Sequence, residues 1–317
     1  MASPLRFAAA GLSSLNAAAP RRLAAAAAAS IPAAVAPFPR PASRQQQQRR
    51  RQQQQRRHIS SPSSSKTSSV NPDEVSHFNH LAADWWDPHG SSRLLHLMNP
   101  LRHDFIASCL ANSGPSSGPG SAAAGLAYLD VGCGGGIFAE SAARLPTTRS
   151  VTAIDPTPEV LAVARAHARK DPSLASRLTY RQCAIEDLDA APASFDVVSV
   201  FEVIEHIDRP ADFLDGVLPF VKPGGWLVMS TIARTWISWF TTNLVAEDLL
   251  RIVPPGTHDW NKYINDHELC RYFSEKPGWG VSRVMGVVYV PGLGWREVRG
   301  SEKIGNYFLA VRREPEP

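Results

Sequence analysis

The chain has 317 residues, 44% of them hydrophobic and 20% charged, which is enough for one or two folded domains. Its formal charge of +4 is unevenly distributed. The first 57 residues hold ten arginines and no acidic residue, whereas the rest of the chain holds 23 basic and 29 acidic residues. An acidic body argues against a nucleic-acid-binding protein, and four cysteines without C-x-x-C spacing argue against a disulfide framework or a zinc site.

The first 57 residues have the composition of a mitochondrial transit peptide, because they are rich in arginine and alanine and exclude acids. A plastid address and a disordered low-complexity tail are the alternatives. No apolar run is long enough to span a bilayer. We predict a Ser/Pro-rich linker over residues 58–72 and one folded domain over 73–317, with a helical insertion at about 232–262.

Strands and helices alternate along this domain. A helix begins near Pro72, a second covers about Leu94–Leu110, and Ser113–Ser121 is predicted to be a flexible loop. The predicted strands are Ala127–Val131, Val151–Ile154, Leu178–Gln182, Asp196–Phe201, Trp226–Thr231, Val281–Val290 and Tyr307–Val311. The predicted helices between them are Ala139–Arg144, Pro158–Ala168 and Pro210–Phe220. This order is typical of an α/β fold, a mostly parallel sheet with helices on both faces, and Val221–Gly225 is predicted to be a turn into the fifth strand.

A glycine cluster, Gly132-Cys-Gly-Gly-Gly136, follows Asp130 at the end of the first predicted strand. Glycine permits a tight turn and the close approach of a ligand to the backbone. The second strand leads into Asp155, about 20 residues farther on, where an acid suits the two hydroxyls of a ribose. The pairing indicates a nucleoside cofactor, although the G-x-G-x-G spacing differs from the dinucleotide fingerprint. A helix N-cap is the alternative role for Asp155.

Acidic and imidazole side chains follow the fourth strand, in the order Phe201-Glu202-Val203-Ile204-Glu205-His206. The carboxyl ends of parallel strands are where ligands bind. Two carboxylates and an imidazole are suitable ligands for a divalent cation. Alternatively, Glu202 caps backbone amides and His206 is a solvated loop residue, and the spacing alone leaves both interpretations open.

The segment Trp236–Val253 is crowded with apolar and aromatic residues, several of them at helical spacing. An ordinary buried helix would explain this pattern. The aromatic rings of Trp236, Trp239 and Phe240 favour contact with a membrane surface or a lipid tail.

Together, these motifs resemble the class I S-adenosylmethionine-dependent methyltransferases and, more narrowly, the ubiquinone-biosynthesis O-methyltransferases. The narrower resemblance covers about residues 71–313 and rests on segments that are specific to that family. These segments are Trp85-Trp86-Asp87, Asn99-Pro100-Leu101-Arg102 and Gly256-Thr257-His258-Asp259, and Glu202-x-x-Glu205-His206 is a further matching stretch.

The resemblance implies a Rossmann-like fold with a mostly parallel seven-stranded sheet. It implies that S-adenosylmethionine is bound by Arg102, Gly132, Asp155 and Phe201. It also implies a magnesium ion bound by Glu202, Glu205 and His206, which favours the metal interpretation of that cluster, with His206 as an alternative general base. Cys183 stands where many such enzymes place an acid for the adenine amine, and the nearby Glu186 is a candidate replacement.

The implied substrates are polyprenylated phenols and quinols, namely a polyprenylated dihydroxybenzoate and demethylubiquinol, which are methylated on ring hydroxyls. With the leader, the resemblance predicts peripheral attachment to the matrix side of the mitochondrial inner membrane through about Trp236–Val253, and membership of a multi-subunit ubiquinone-biosynthesis complex. A methyltransferase for another lipid or phenol would share the fold and differ only in the pocket. A non-catalytic scaffold is a third alternative, against which the intact glycine loop, Asp155 and Glu-x-x-Glu-His motif argue.

Overall fold

The computed structural model describes residues 68–90, 92–111, 125–235 and 262–315. The predicted leader, the Ser113–Ser121 loop, the Trp236–Val253 segment and most of the predicted insertion lie outside the described residues. Among the described residues, no helix combines the length and the apolar character needed to cross a membrane.

The elements follow the predicted order closely. The strands are β1 Leu126–Val131, β2 Thr148–Asp155, β3 Leu178–Gln182, β4 Phe195–Phe201, β5 Val221–Ile232, β6 Arg283–Val290, β7 Gly294–Glu297 and β8 Asn306–Arg312. The described helices are α1 Pro72–Leu81, α2 Arg93–Ala111, α3 Ile137–Arg144, α4 Pro158–Ala168, α5 Pro210–Val217 and α6 Asp266–Ser274. Short 3-10 turns include Ile185–Asp187, Ile204–His206 and Leu218–Phe220.

The described strands form one eight-stranded sheet with the strand order β3-β2-β1-β4-β5-β8-β6-β7. The strands β3, β2, β1, β4 and β5 pair in parallel, whereas β8 runs antiparallel to both β5 and β6. The α/β class and the mostly parallel sheet are confirmed. The prediction of seven strands was wrong by one, because Gly294–Glu297 forms a hairpin with β6. This strand is too short to show an alternating pattern, and only Trp295 in it is buried.

Two predicted boundaries around the fifth strand differ from the structure. The segment Lys222–Gly225 bulges within β5 instead of preceding it, since Val221 pairs with Phe195 and Trp226 pairs with Val197. The glycine at position 224 supports the bulge with a φ of 78°. The helix predicted to reach Phe220 ends at Val217 and continues as a 3-10 turn, because Pro219 lacks the N–H that an α-helical bond requires.

Apolar side chains cover both faces of the sheet. On one face, α5 and α6 pack on a cluster that includes Leu129, Val198 and Leu227. On the other face, α2 and α3 pack on a cluster that includes Tyr128 and Val197. The carboxyl ends of the buried parallel strands lie together at one edge of the sheet. The carboxyl ends of β1, β2 and β4 frame the candidate site.

Candidate active site

A cavity of about 670 Å³ opens at the carboxyl ends of the parallel strands. Its lining begins at the glycine loop, Gly132–Gly136, and extends to the β6–β7 hairpin. The wall includes Arg102, Gly132, Asp155, Phe201, Glu202, Glu205 and His206. All of the site residues predicted from the sequence therefore border one cavity.

The glycine loop adopts a conformation that other residues rarely accept. Gly132, Gly134 and Gly136 have φ angles of 69°, 53° and 88°. A Cβ atom at Gly132 would collide with Val203, and one at Gly136 would collide with Tyr180. The loop is tied to the end of β2, because the amides of Gly132 and Cys133 both donate to the carbonyl of Ile154, at 2.8 and 3.0 Å.

Asp155, the last residue of β2, is buried against this loop. Its Oδ2 accepts from the amide of Gly134 at 2.9 Å, and its Oδ1 accepts from the amide of Thr157 at 2.8 Å. Burial raises the pKa of this carboxyl group, which the two amides oppose. The N-cap of α4 is Thr157, so the alternative role of Asp155 as the N-cap of that helix is wrong. Each carboxylate oxygen has a second lone pair, so the bonds to the loop leave acceptor capacity for a ligand.

A buried cation lies beneath the cavity. Arg102 of α2 is 4% exposed, and its guanidinium lies over the ring of Phe201 at 4.8 Å. Burial lowers the pKa of Arg102, while the nearby acids Glu202, Asp130 and Glu205 raise it. Its Nε has no hydrogen-bond partner among the described residues. A buried donor without a partner is costly, so this atom is a candidate contact for a bound group.

Asp130, which the sequence flagged only as part of the glycine motif, is a further titratable group in the cavity wall. The Ser199 hydroxyl donates to its Oδ1 at 2.7 Å. Burial raises the pKa of Asp130 to about 7, against the opposing effects of Ser199 and Arg102. Its place just before a glycine at a strand end was the signal that would have identified it.

The two glutamates after β4 form a close carboxyl pair. Glu202 has a φ of 54°, unusual for a non-glycine residue, and accepts from Ser230 Oγ at 2.6 Å. Glu205 is buried and accepts from Thr231 Oγ1 at 2.9 Å. Burial, followed by the charge and the hydrogen bond of Glu202, raises the pKa of Glu205 well above its ordinary value. The alternative in which Glu202 only caps backbone amides is not what the structure shows, since its partner is a hydroxyl.

His206 makes its hydrogen bond with a different residue. Its Nδ1 lies 3.0 Å from Oε2 of Glu74 in α1, and its ring meets Phe78 edge-on at 5.0 Å. Burial would raise the pKa of Glu74, but the bonds from His206 and Lys262 lower it below its ordinary value. His206 is 13% exposed at its side chain, so it is not a solvated loop residue.

The described side chains do not assemble the magnesium site that the resemblance implies. Within residues 68–90, 92–111, 125–235 and 262–315, no group of three His, Cys, Asp or Glu residues is placed to hold a metal ion. Glu202 and Glu205 lie together, but the imidazole of His206 is bound to Glu74. The three predicted ligands therefore share a cavity without forming a common coordination site.

Glu186, the candidate for an adenine contact, is not among the residues that line the cavity. Its carboxylate accepts from the amide of Ser69 at 2.6 Å and from the Ser69 hydroxyl at 2.9 Å. The cavity is lined instead by Cys183, Ala184 and Ile185 from the same segment. The adenine end of a bound nucleoside would therefore meet a mainly apolar surface.

The sequence and the fold of this chain are similar to those of known methyltransferases. Residues 129–229 match the family described as methyltransferase domain. The chain is 43% identical over 256 residues to a mitochondrial ubiquinone biosynthesis O-methyltransferase of Schizosaccharomyces pombe. The matched region covers 79% of this chain and 89% of that protein. It is 39% identical over 283 residues to the protein of the same name in Candida albicans, covering 78% and 86%. A solved SAM-dependent methyltransferase of Thermotoga maritima, described as a possible histamine N-methyltransferase, has the same fold at 15% identity, with a TM-score of 0.51 over 76% of this chain and 100% of that one.

Proposed function

Because this chain belongs to the family of ubiquinone biosynthesis O-methyltransferases, we propose that it methylates ring hydroxyls of polyprenylated dihydroxybenzoate and of demethylubiquinol. The methyl donor is S-adenosylmethionine, which supplies a sulfonium methyl group to an attacking oxygen. The observation that carries this proposal is a single cavity of about 670 Å³ that joins the glycine loop to an apolar wall. Such a cavity brings the donor and the acceptor together, and methyl transfer depends mainly on positioning the two.

The cofactor half of the cavity has features that match the donor. We assign the ribose to Asp155 and the close backbone approach to Gly132, Cys133 and Gly134, which line the cavity. Arg102 is the charge complement of the cofactor carboxylate, and its unpaired Nε supports that role. Phe201 fixes the guanidinium from below.

The acceptor half of the cavity is formed largely by apolar residues. Leu94 and Leu95 of α2 line it together with Val288, Tyr289 and Trp295 of the β6–β7 hairpin. Apolar surface of this kind is favourable for an aromatic ring and the first units of a prenyl chain, at about 25 cal/mol per Å² of area removed from water. A polar phenol without a tail would gain less from this wall.

His206 is the general base that we propose for the acceptor hydroxyl. A phenol has a pKa of about 10 and is mostly neutral at pH 7, so a proton must be removed during attack. His206 lines the cavity, and the described residues give its Nε2 no hydrogen-bond partner. Glu74 holds Nδ1 and thereby orients the ring, as in other base and carboxylate pairs.

The magnesium ion implied by the resemblance is not part of this proposed reaction, because its ligands are not assembled among the described residues. For the metal prediction to hold, His206 would have to release its hydrogen bond to Glu74 and bind the ion. In that case Glu74→Gln would tighten Mg²⁺ binding in calorimetry, and loss of turnover in EDTA would be restored by Mg²⁺. Full activity in EDTA would exclude the metal.

The location is proposed from several lines of support. The acid-free leader, the mitochondrial names of the yeast relatives and a lipophilic substrate favour the matrix side of the mitochondrial inner membrane. Contact with the membrane is assigned to Trp236–Val253, which lies outside the described residues. The lipophilic substrate also favours the proposal that the protein acts within a multi-subunit biosynthetic complex.

The deciding experiment incubates the full chain with methyl-labelled S-adenosylmethionine and short-tailed prenyl catechols, and identifies products by mass. We expect transfer of one label to a ring oxygen, with faster turnover for prenylated than for tail-free catechols. Equal rates for both would favour a methyltransferase of another phenol. A folded chain that binds no S-adenosylmethionine would favour the scaffold alternative.

A further inference from the structure

An aromatic pair holds the glycine loop from outside the cavity. The indole N–H of Trp86 donates to the carbonyl of Gly135 at 2.8 Å. The Trp86 ring stacks on the imidazole of His167 in α4, with centroids 3.5 Å apart and planes 5° from parallel. Neither Trp86 nor His167 lines the cavity, whereas Gly132, Cys133 and Gly134 do.

The imidazole of His167 is fixed in turn by a buried acid. Its Nδ1 lies 2.9 Å from Oε1 of Glu140, whose side chain is fully buried. Arg144 donates to the other oxygen of Glu140 at 2.9 Å. A buried carboxylate is costly unless its oxygens are paired, so Glu140 fixes the imidazole of His167.

These contacts form a chain that begins and ends at the glycine loop. Glu140 belongs to α3, which begins directly after Gly136, and its amide donates to the carbonyl of Gly136 at 2.9 Å. The chain of contacts therefore runs from Gly135 through Trp86, His167 and Glu140 back to the same loop. It holds a segment in which Gly132, Gly134 and Gly136 have positive φ angles and that would otherwise have many accessible conformations.

The neighbouring Trp85 strengthens this arrangement. Its ring occupies the space beside Gly134 and Gly135, and it is 8% exposed. Its carbonyl lies 2.9 Å from Nε2 of His96, whose ring in turn meets Trp86 at 5.2 Å. The two tryptophans thus hold the loop between them, one at the cavity wall and one behind it.

We propose that Trp86 and His167 are positioning residues for the cofactor, and that their stack holds Gly135 so that the glycine loop keeps its binding shape. The inference rests on the proposed placement of the cofactor at this loop. It assigns a role in cofactor affinity to two side chains that do not touch the cofactor. Their loss affects the KM for S-adenosylmethionine and leaves kcat at saturation close to that of the wild type.

The test uses Trp86→Phe, which keeps a stacking ring and removes the N–H, and His167→Gln, which keeps a polar side chain beside Glu140 and removes the ring. Each variant of the full chain is assayed by calorimetry with S-adenosylhomocysteine and by turnover. We expect about a tenfold loss of affinity and a matching rise in the KM for S-adenosylmethionine, as for one lost hydrogen bond in a folded site, with kcat within about twofold. In the double variant, the losses are less than additive if the two residues act as a unit.

Tyr307→Phe is the matched control, because the hydroxyl of Tyr307 donates to the carbonyl of Ile264 at 2.7 Å and Tyr307 does not line the cavity. It should lower the melting temperature about as much as Trp86→Phe without weakening cofactor binding. Wild-type cofactor affinity in both Trp86→Phe and His167→Gln would overturn the proposal, as would an equal loss in Tyr307→Phe. If Trp86→Phe does not fold, the result for His167→Gln decides.

The variant Asp155→Asn separates this inference from the cofactor placement. Weaker binding in Asp155→Asn with unchanged binding in the stack variants refutes only the positioning role. Unchanged binding in all three variants places the cofactor elsewhere and refutes both. Weaker binding in all three supports both.

Discussion

A single acidic side chain, Asp155, connects the cofactor prediction to the loop geometry. The sequence identified it because it follows an apolar strand at a fixed distance from the glycines. The structure adds that its two oxygens hold the amides of Gly134 and Thr157, so it shapes the loop as well. We expect Asp155→Asn to weaken S-adenosylhomocysteine binding by roughly tenfold to hundredfold, because charge-assisted hydrogen bonds are lost.

The measurement for Asp155→Asn is calorimetry, with Asp196→Asn as the control. Asp196 also accepts from a backbone amide, that of Ala127 at 2.8 Å, but it does not line the cavity. Loss of affinity in both variants would mean that general destabilisation explains the effect, and unchanged affinity in Asp155→Asn would remove the ribose assignment.

Asp130 predicts a pH dependence of stability. Its pKa in the folded protein is about 7, above the ordinary value of 3.8, so between about pH 4 and pH 7 the folded state binds more protons than the unfolded state. The stability of the protein without cofactor therefore falls as pH rises through this window. We expect Asp130→Asn to reduce that fall, so that its melting temperature relative to wild type is higher at pH 8 than at pH 5. The same difference between the variants at both pH values would contradict the shifted pKa.

The pairing of His206 with Glu74 shows what the sequence could not predict at this scale. The two residues are 132 positions apart in the sequence. Local spacing placed His206 beside Glu202 and Glu205, and that proximity made a metal site plausible. The long-range contact between the imidazole of His206 and Glu74 depends on how α1 packs, and no local sequence pattern encodes that packing.

At the level of elements, the strand-to-helix order was predictable because each parallel strand is a short apolar run bounded by turn residues. The β6–β7 hairpin was not, since β7 is a short edge strand with only one buried residue. That hairpin nonetheless forms one wall of the cavity. The elements that we assign to the substrate were thus less visible in the sequence than those that we assign to the cofactor.

The hairpin wall gives a prediction for substrate selection. Tyr289→Ser removes an aromatic ring that lines the acceptor half of the cavity. We expect the KM for a prenylated catechol to rise several-fold, with unchanged S-adenosylhomocysteine affinity, because less apolar area is removed from water on binding. The control is Val298→Ser, which changes a 43% exposed residue that does not line the cavity. An unchanged KM in Tyr289→Ser would place the tail elsewhere.

The segment Trp236–Val253 is the element whose role rests on composition alone. We expect Trp236→Ser combined with Trp239→Ser to reduce co-sedimentation with liposomes containing anionic lipids, because aromatic rings favour the boundary layer of the bilayer. Turnover of a water-soluble, short-tailed catechol should change much less. Wild-type sedimentation would mean that these rings are part of the protein core.

For the whole molecule, the sequence was most informative where physical constraints are strict. Glycines with positive φ, an acid at a strand end and buried strands have few alternatives, and they led to the correct fold class and to one shared cavity. Strand β7, the Trp86–His167 stack and the partner of His206 arise from packing between distant segments. These features could be identified only from the three-dimensional structure.

The opposite charge of the two parts of the chain predicts separate functions for them. Ten arginines without any acid in the first 57 residues favour import along the mitochondrial membrane potential, while the acidic body needs no such charge. A fusion of residues 1–57 to a fluorescent protein should therefore co-localise with a mitochondrial matrix marker in cells. The same fusion with its arginines replaced by glutamine should remain in the cytosol, because the length and the apolar content are kept while the positive charge is lost. Import of both fusions would show that charge is not the signal, and plastid accumulation in plant cells would replace the mitochondrial assignment.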